Sequence, residues 1–271
     1  KLGKISEANM CSTQETNASM AIHRRDTGHS DRQADLKTAL ARFESRMAAG
    51  AFSPYANRIE DPRKRWCTFL ELVKRRGQRY AMCSLENFDI RGRDSKRKTS
   101  VRDELRSFTT NMPERIANGS GLVLLGPPGT GKDHLLMACL REAILTHGFT
   151  VRWHDGLELF QQVKAAIAQD GTGDFFKQLY TPQILALSDP VPPRDELTAY
   201  ELSVLRNVIE KRYSSGLSTW ITTNVQNYDE ARKLFTSAVL DRLLHGALEL
   251  FFGWESYRTR MEAKPCATET N

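Results

Sequence analysis

Lys132 stands in the one stretch of this 271-residue chain whose residue types and spacing spell out a chemistry. It closes the run Gly126-Pro127-Pro128-Gly129-Thr130-Gly131-Lys132, in which Gly126, Gly131 and Lys132 keep the spacing G-x-x-x-x-G-K, and Asp133 and His134 follow it. Glycines let a backbone curl until successive N–H groups converge on an anion, and a helix N-terminus adds the positive end of its dipole. A lysine at that place reaches the terminal phosphates of a nucleotide. Residues 126–134 are therefore the expected phosphate-binding set. One position departs from the pattern, because Asp133 occupies the place where Ser or Thr normally holds magnesium. A carboxylate beside a polyphosphate is repelled unless a cation lies between them, so Asp133 either ligates Mg2+ in its own way or weakens nucleotide binding.

A second carboxylate is needed at the end of a neighbouring strand, to hold the magnesium and to orient an attacking water. The candidate is Ile184-Leu185-Ala186-Leu187-Ser188-Asp189-Pro190, where four apolar residues run into Ser188-Asp189. If Asp189 is the metal ligand, Pro190 stands where the water-orienting acid belongs. If Asp189 orients the water, Ser188 is a weak metal ligand. On either reading the strand carries one carboxylate fewer than a vigorous ATPase would show. A third polar position, Asn224, ends the run Thr219–Thr223 and could offer its amide to a γ-phosphate or to the water.

These residues require strands that stop at a common edge and helices that begin there. The apolar run 122–125 reads as a buried strand feeding the loop, with a helix over 132–147 behind it. Further strands are expected at 149–153, 183–187 and 219–223, with helices at 156–169 and 197–214. Alternation at these lengths predicts an α/β fold, a parallel sheet covered by helices on both faces, with ligand outside the carboxyl ends of the strands. Ahead of the loop, residues 83–90 read as an entry segment with Phe88 near the nucleotide base, 91–100 as a charged loop and 101–116 as one helix.

The composition, 40% apolar and 27% charged with a net charge of +6, is that of a globular protein. No apolar run approaches the roughly 18–20 residues of a membrane span, so the expected setting is cytoplasmic, without membrane association. Five scattered cysteines with no C-x-x-C pair argue for free thiols rather than a disulfide framework or a zinc site. Residues 1–120 carry 24 Lys and Arg against 15 Asp and Glu, a local charge of +9, while residues 121–271 sum to −3. The basic excess suggests an anionic partner such as nucleic acid for the first half. Residues 1–30 read as a disordered tail, 31–79 as a basic helical region suited to a partner, 80–260 as the nucleotide-binding domain and 261–271 as a flexible tail. Within the second segment, Leu36, Leu40, Phe43 and Met47 mark an amphipathic helix, and Trp66 and Phe69 interleave with the clusters Arg63-Lys64-Arg65 and Lys74-Arg75-Arg76.

Residues 80–260 resemble the AAA+ helicase loaders of the DnaC and DnaI group, together with the transposition helper ATPase IstB. The likeness rests on Gly126–Leu136, Val208–Tyr213, Ser218–Val225, Asp241-Arg242-Leu243 and Phe252–Arg258. It implies a P-loop AAA+ domain preceded by a small helical region, with ATP and Mg2+ as cofactors. It also implies Asn224 as sensor 1 and Arg242 as an arginine finger in self-assembly, which join Lys132 and Asp189 as the candidate catalytic residues, with Arg258 as a further phosphate-sensing or DNA-facing arginine and Arg212 as another interface arginine. The implied partners are a hexameric replicative helicase and single-stranded DNA. Two alternatives stay open: an IstB-like helper acting on duplex DNA with a transposase, and a nucleotide-binding adaptor with little hydrolysis.

Overall fold

Five short strands carry the core: β1 (Leu122–Gly126), β2 (Val151–Asp155), β3 (Ile184–Ser188), β4 (Ser218–Asn224) and β5 (Leu248–Phe251). All pair in parallel, in the order β2-β3-β4-β1-β5. The computed structural model describes residues 58–169, 171–191 and 196–258. The amphipathic helix expected at 31–48 and both expected tails lie outside the described residues.

The side chains of each strand divide between two apolar layers, as a buried sheet requires. Leu122, Leu124, Ile184, Ala186 and Trp220 join one cluster, whereas Val123, Leu125, Leu185, Leu187 and Ile221 join the other. The first layer is closed by α1 (Pro62–Arg76), α2 (Ser95–Thr110), α3 (Met112–Ala117) and α4 (Lys132–Leu145), and the second by α5 (Gly156–Ala168), α6 (Thr172–Tyr180), α7 (Ala199–Ser214), α8 (Tyr228–Leu234) and α9 (Ser237–Leu244). Among the described residues no helix is long and apolar enough to cross a membrane.

The expected strands and helices after the loop are present with ends shifted by one or two residues. Four elements, α6, α8, α9 and β5, were not legible: each is short, and β5 has only four residues with Glu249 among them. The helix expected at 101–116 is in fact two. Asn111 breaks it ahead of Pro113, whose ring cannot continue an interior hydrogen-bond ladder. The first of the pair also begins inside the stretch expected to be a charged loop. Lys98 there is fully buried, its ammonium donating to the Arg91 carbonyl at 3.0 Å and lying 4.8 Å from the centre of the Tyr257 ring.

The basic clusters around α1 are partly committed to the fold. Asp61 caps the helix by accepting from the Arg63 amide, and Gly77, at φ 109°, ends it. Phe69, Leu72 and Val73 are buried in the sheet-facing layer, whereas Trp66 and Leu70 are half exposed. Arg65 donates to the carbonyls of Ile59, Leu145 and Thr146. Arg76 lies 4.6 Å from the Trp153 ring centre and approaches Asp155 and Glu158 at 3.8 and 3.5 Å. Arg65 and Arg76, two of the six clustered cations, therefore hold α1 to the unit that carries the sheet.

Candidate nucleotide site

Parallel pairing brings the carboxyl ends of four strands, β1 to β4, together beside the loop. Gly126 lies opposite Asn224, Ser188 opposite Thr222, and Asp155 opposite Ser188. Gly129 and Gly131 have φ of 78° and 94°, the left-handed region that glycine enters without a Cβ penalty. Space forbids a side chain as firmly as torsion does. A Cβ on Gly129 would meet Ser256 Oγ at 2.1 Å, and one on Gly131 would meet the Phe88 ring at 2.8 Å.

Lys132 is 6% exposed and its ammonium makes three bonds: to the carbonyls of Gly126 and Pro127 at 2.7 and 2.8 Å and to Asn224 Oδ1 at 2.9 Å. Burial lowers its pKa to about 8, outweighing the opposing pull of the Asp133 and Asp189 carboxylates, with Arg258 lowering it further. Asn224 in turn donates through its amide nitrogen to Asp189 Oδ2 and through its backbone N–H to Asp189 Oδ1 at 3.3 Å. Lys132, Asn224 and Asp189 thus form one continuous chain of bonds. Asp189 is the one described non-glycine residue with positive φ, at 47°. That turn points its carboxylate at Asn224, a conformation Asp tolerates better than most residues.

Asp133, at the start of α4, turns toward the sheet. Its Oδ1 accepts from Ser188 Oγ at 2.9 Å and from Thr222 Oγ1 at 2.8 Å. His134 turns the other way: Nε2 lies 3.1 Å from the Ser84 carbonyl and 3.0 Å from Asn87 Oδ1, and Nδ1 lies 3.5 Å from Cys83 Sγ. Burial holds His134 below the usual histidine range. His134 therefore ties the loop helix to the entry segment. Phe88 of that segment packs near His134, Trp254 and Tyr257, with ring centres 5.8, 6.2 and 5.9 Å away.

The tract 252–258 lies over the loop. Trp254 Nε1 donates to the Thr130 carbonyl and the Tyr257 amide donates to the Gly129 carbonyl, both at 2.9 Å. This brings Arg258 beside Gly129, exposed at the loop's edge. Thr222, Trp254 and Tyr257 were the residues sequence reasoning did not assign to the site. Thr222 could have been found from strand parity, since it and Ser188 are even-numbered like Trp220 and Ala186, which face α4.

Two arginines stand elsewhere. Arg242 is on α9, bonded to the Ala238 carbonyl at 2.8 Å and 3.7 Å from Glu210. It lines a cavity of about 270 Å³ with Gly121, Leu217, Thr219 and Tyr213, at the amino ends of β1 and β4, away from the chain's own loop. Arg212 is fully buried between α7 and the sheet, so the surface role implied for it is corrected to an internal one. Its guanidinium donates to the carbonyls of Leu179, Pro182, Gln183 and Ser218 and to Thr219 Oγ1.

Among the described residues no cluster of three or more His, Cys, Asp or Glu is poised to hold a metal. Magnesium is commonly bound by only one or two carboxylates together with substrate phosphates, and Asp133 and Asp189 have the donor chemistry for that. Burial raises the Asp189 carboxyl above its ordinary range, ahead of the opposing Asn224 bonds and Lys132 charge. A group with a raised folded-state pKa stabilises the fold as pH falls through that value. Asp189→Asn, which mimics the protonated form, should raise Tm at pH 7. If Asp189 orients the attacking water, the same change should lower turnover about 100-fold or more. Calorimetry and a phosphate-release assay on one preparation check both.

A family model for IstB-like ATP binding proteins matches residues 71–265. The replicative helicase loader DnaC of Escherichia coli K12 is 28% identical over 185 residues, covering 67% of this chain and 71% of that protein. A protein of Sinorhizobium fredii described as an insertion-sequence ATP-binding protein is 34% identical over 157 residues, covering 55% of this chain and 51% of its own. Among solved structures, a DnaC helicase loader superposes with a TM-score of 0.58 at 21% identity, covering 65% of this chain and 99% of that one. DnaI superposes with a TM-score of 0.52 at 17% identity, covering 66% and 93%. At these identities the solved structures show the fold alone; with the family match it is that of an AAA+ P-loop domain.

Proposed function

Because the chain belongs to the IstB-like ATP-binding protein family, we propose that it is an ATP- and Mg2+-dependent loader that delivers a hexameric replicative helicase to single-stranded DNA. Support for the partner comes from the DnaC relatives, named replicative helicase loaders, which align over two thirds of the chain. The observation that carries the reading is the separation of two charged features along the sheet. Lys132, Asn224 and Asp189 gather at the carboxyl ends of the strands, and Arg242 sits toward the amino ends. Such a division suits head-to-tail assembly, in which Arg242 of one copy meets the γ-phosphate held by the next. Nucleotide state would then govern assembly, since a guanidinium binds the γ-phosphate only while it is present. Residues 31–79 are the proposed helicase-docking region.

Light scattering on the full chain mixed with the replicative helicase of its host, with and without ATP, tests this reading. The expected result is a stable complex whose ATP-dependent part is lost in Arg242→Ala, while that variant still binds nucleotide. A chain that ignores the helicase and assembles with ATP on duplex DNA would instead support the transposition-helper reading, which the insertion-sequence relative favours.

A further inference from the structure

In P-loop NTPases the magnesium ion is held by a hydroxyl that follows the loop lysine and by a carboxylate at the end of a neighbouring strand. Here the two residue types have changed places. Asp133 follows Lys132, and Ser188 ends β3. Taken one at a time, each looks like a lesion: a charge that repels phosphate and a lost metal ligand. The geometry joins them. Ser188 Oγ donates to Asp133 Oδ1 at 2.9 Å, Thr222 Oγ1 donates to the same oxygen at 2.8 Å, and the two hydroxyls lie 3.4 Å apart.

We propose that Asp133 and Ser188 are a transposed pair: the carboxylate that holds the nucleotide's divalent cation is carried by the loop helix, and the strand hydroxyl orients it. The pair still supplies one hydroxyl and one negative charge, with donor and acceptor exchanged across the contact. Two hydroxyl donors occupy Oδ1, which fixes the carboxylate plane and leaves Oδ2 as the oxygen for the cation. Ser188 and Thr222 are themselves nearly buried, at 3% and 1% exposure, so both hydroxyls are positioned by the sheet. Asp189 is thereby released from the metal role. It lies beyond the end of β3 and is bonded to Asn224, so of the two readings open for it in the sequence the water-orienting one is favoured.

The inference rests on the reading of this site as one for magnesium nucleotides, and not on the identity of the partner. Its test measures nucleotide affinity of the full chain with a fluorescent ATP analogue, in Mg2+ and in EDTA, without helicase or DNA. Wild type should bind more tightly with Mg2+. Asp133→Asn, which keeps the hydroxyl contacts, and Asp133→Thr should both lose about tenfold or more of that Mg2+-dependent gain, with EDTA affinity unchanged or improved. Ser188→Asp sets two carboxylates against each other and should also weaken Mg2+-dependent binding. The double variant Asp133→Thr with Ser188→Asp should recover to within about threefold of wild type, as mutually dependent positions do. Recovery also shows that the single losses are not failures to fold. Tighter magnesium-nucleotide binding by Asp133→Thr than by wild type would overturn the proposal, as would additive losses in the double variant. Failure of the loader reading alone would leave these affinities as expected and appear only in the helicase mixture.

Discussion

Replacing Lys132 by alanine should reduce ATP affinity by at least roughly 30-fold, since removing one partner of a buried charge contact costs about 2–5 kcal/mol. Lys132 sits at the foot of the loop and is bonded to two of its carbonyls and to Asn224. Its pKa of about 8 adds a pH signature. A bound polyphosphate favours the charged form, so affinity should fall by up to about tenfold per pH unit above pH 8 as the free site loses its proton. Stability without nucleotide should respond the other way. Between pH 8 and the ordinary lysine value of 10.5, the unfolded chain holds more protons than the folded one, so this group's contribution to stability rises with pH. Lys132→Met should abolish both trends. Titration of a fluorescent nucleotide at pH 7, 8 and 9, alongside thermal melts, reads the two slopes separately.

Arg212→Met should cost about 3–5 kcal/mol and leave the protein aggregated or melted at physiological temperature. The guanidinium serves four carbonyls and one hydroxyl at the junction of α7, the loop after α6, and β4. Burial lowers its pKa to about 9, so the charge is held at a cost that only this dense set of acceptors offsets. A methionine of similar length would leave those carbonyls buried without donors. Arg212→Lys should fare little better, because three donors on a point cannot copy a planar fork of five. Urea denaturation of the three proteins gives the measurement. A loss below about 1 kcal/mol for methionine would mean that water replaces the guanidinium.

The nucleotide loop and the strand–helix alternation behind it were legible because backbone requirements dictate their residue types: glycine where φ is positive, an apolar run where a strand is covered on both faces. The strand that ends at Ser188 was legible too, through Leu185-Ala186-Leu187 leading into Ser188-Asp189. What could not be read was which side chains meet. Asp133 and Ser188 are 55 positions apart, and only the register of β3 against β4 brings Ser188 and Thr222 under the first turn of α4. The resemblance offered Arg212 as an interface arginine, and it stands in a run of charged residues, Glu210-Lys211-Arg212. Helical periodicity turns it inward while its neighbours stay exposed. The small elements α6, α8, α9 and β5 were missed because a helix of seven to nine residues or a four-residue strand gives too few positions to establish a period.

The tract that lies over the loop turns the protein into its own optical instrument. Of its four tryptophans, Trp153 and Trp220 are buried in the core beside the sheet and Trp66 is half in water. Trp254 alone touches the phosphate loop, with its indole N–H on the Thr130 carbonyl. A ligand that moves the Thr130 carbonyl relative to the indole lengthens, bends or breaks that bond, and indole emission shifts in colour and intensity when its N–H changes partner. Occupancy of the loop can therefore be followed by intrinsic fluorescence, without a label, and a Trp254→Phe protein supplies the blank.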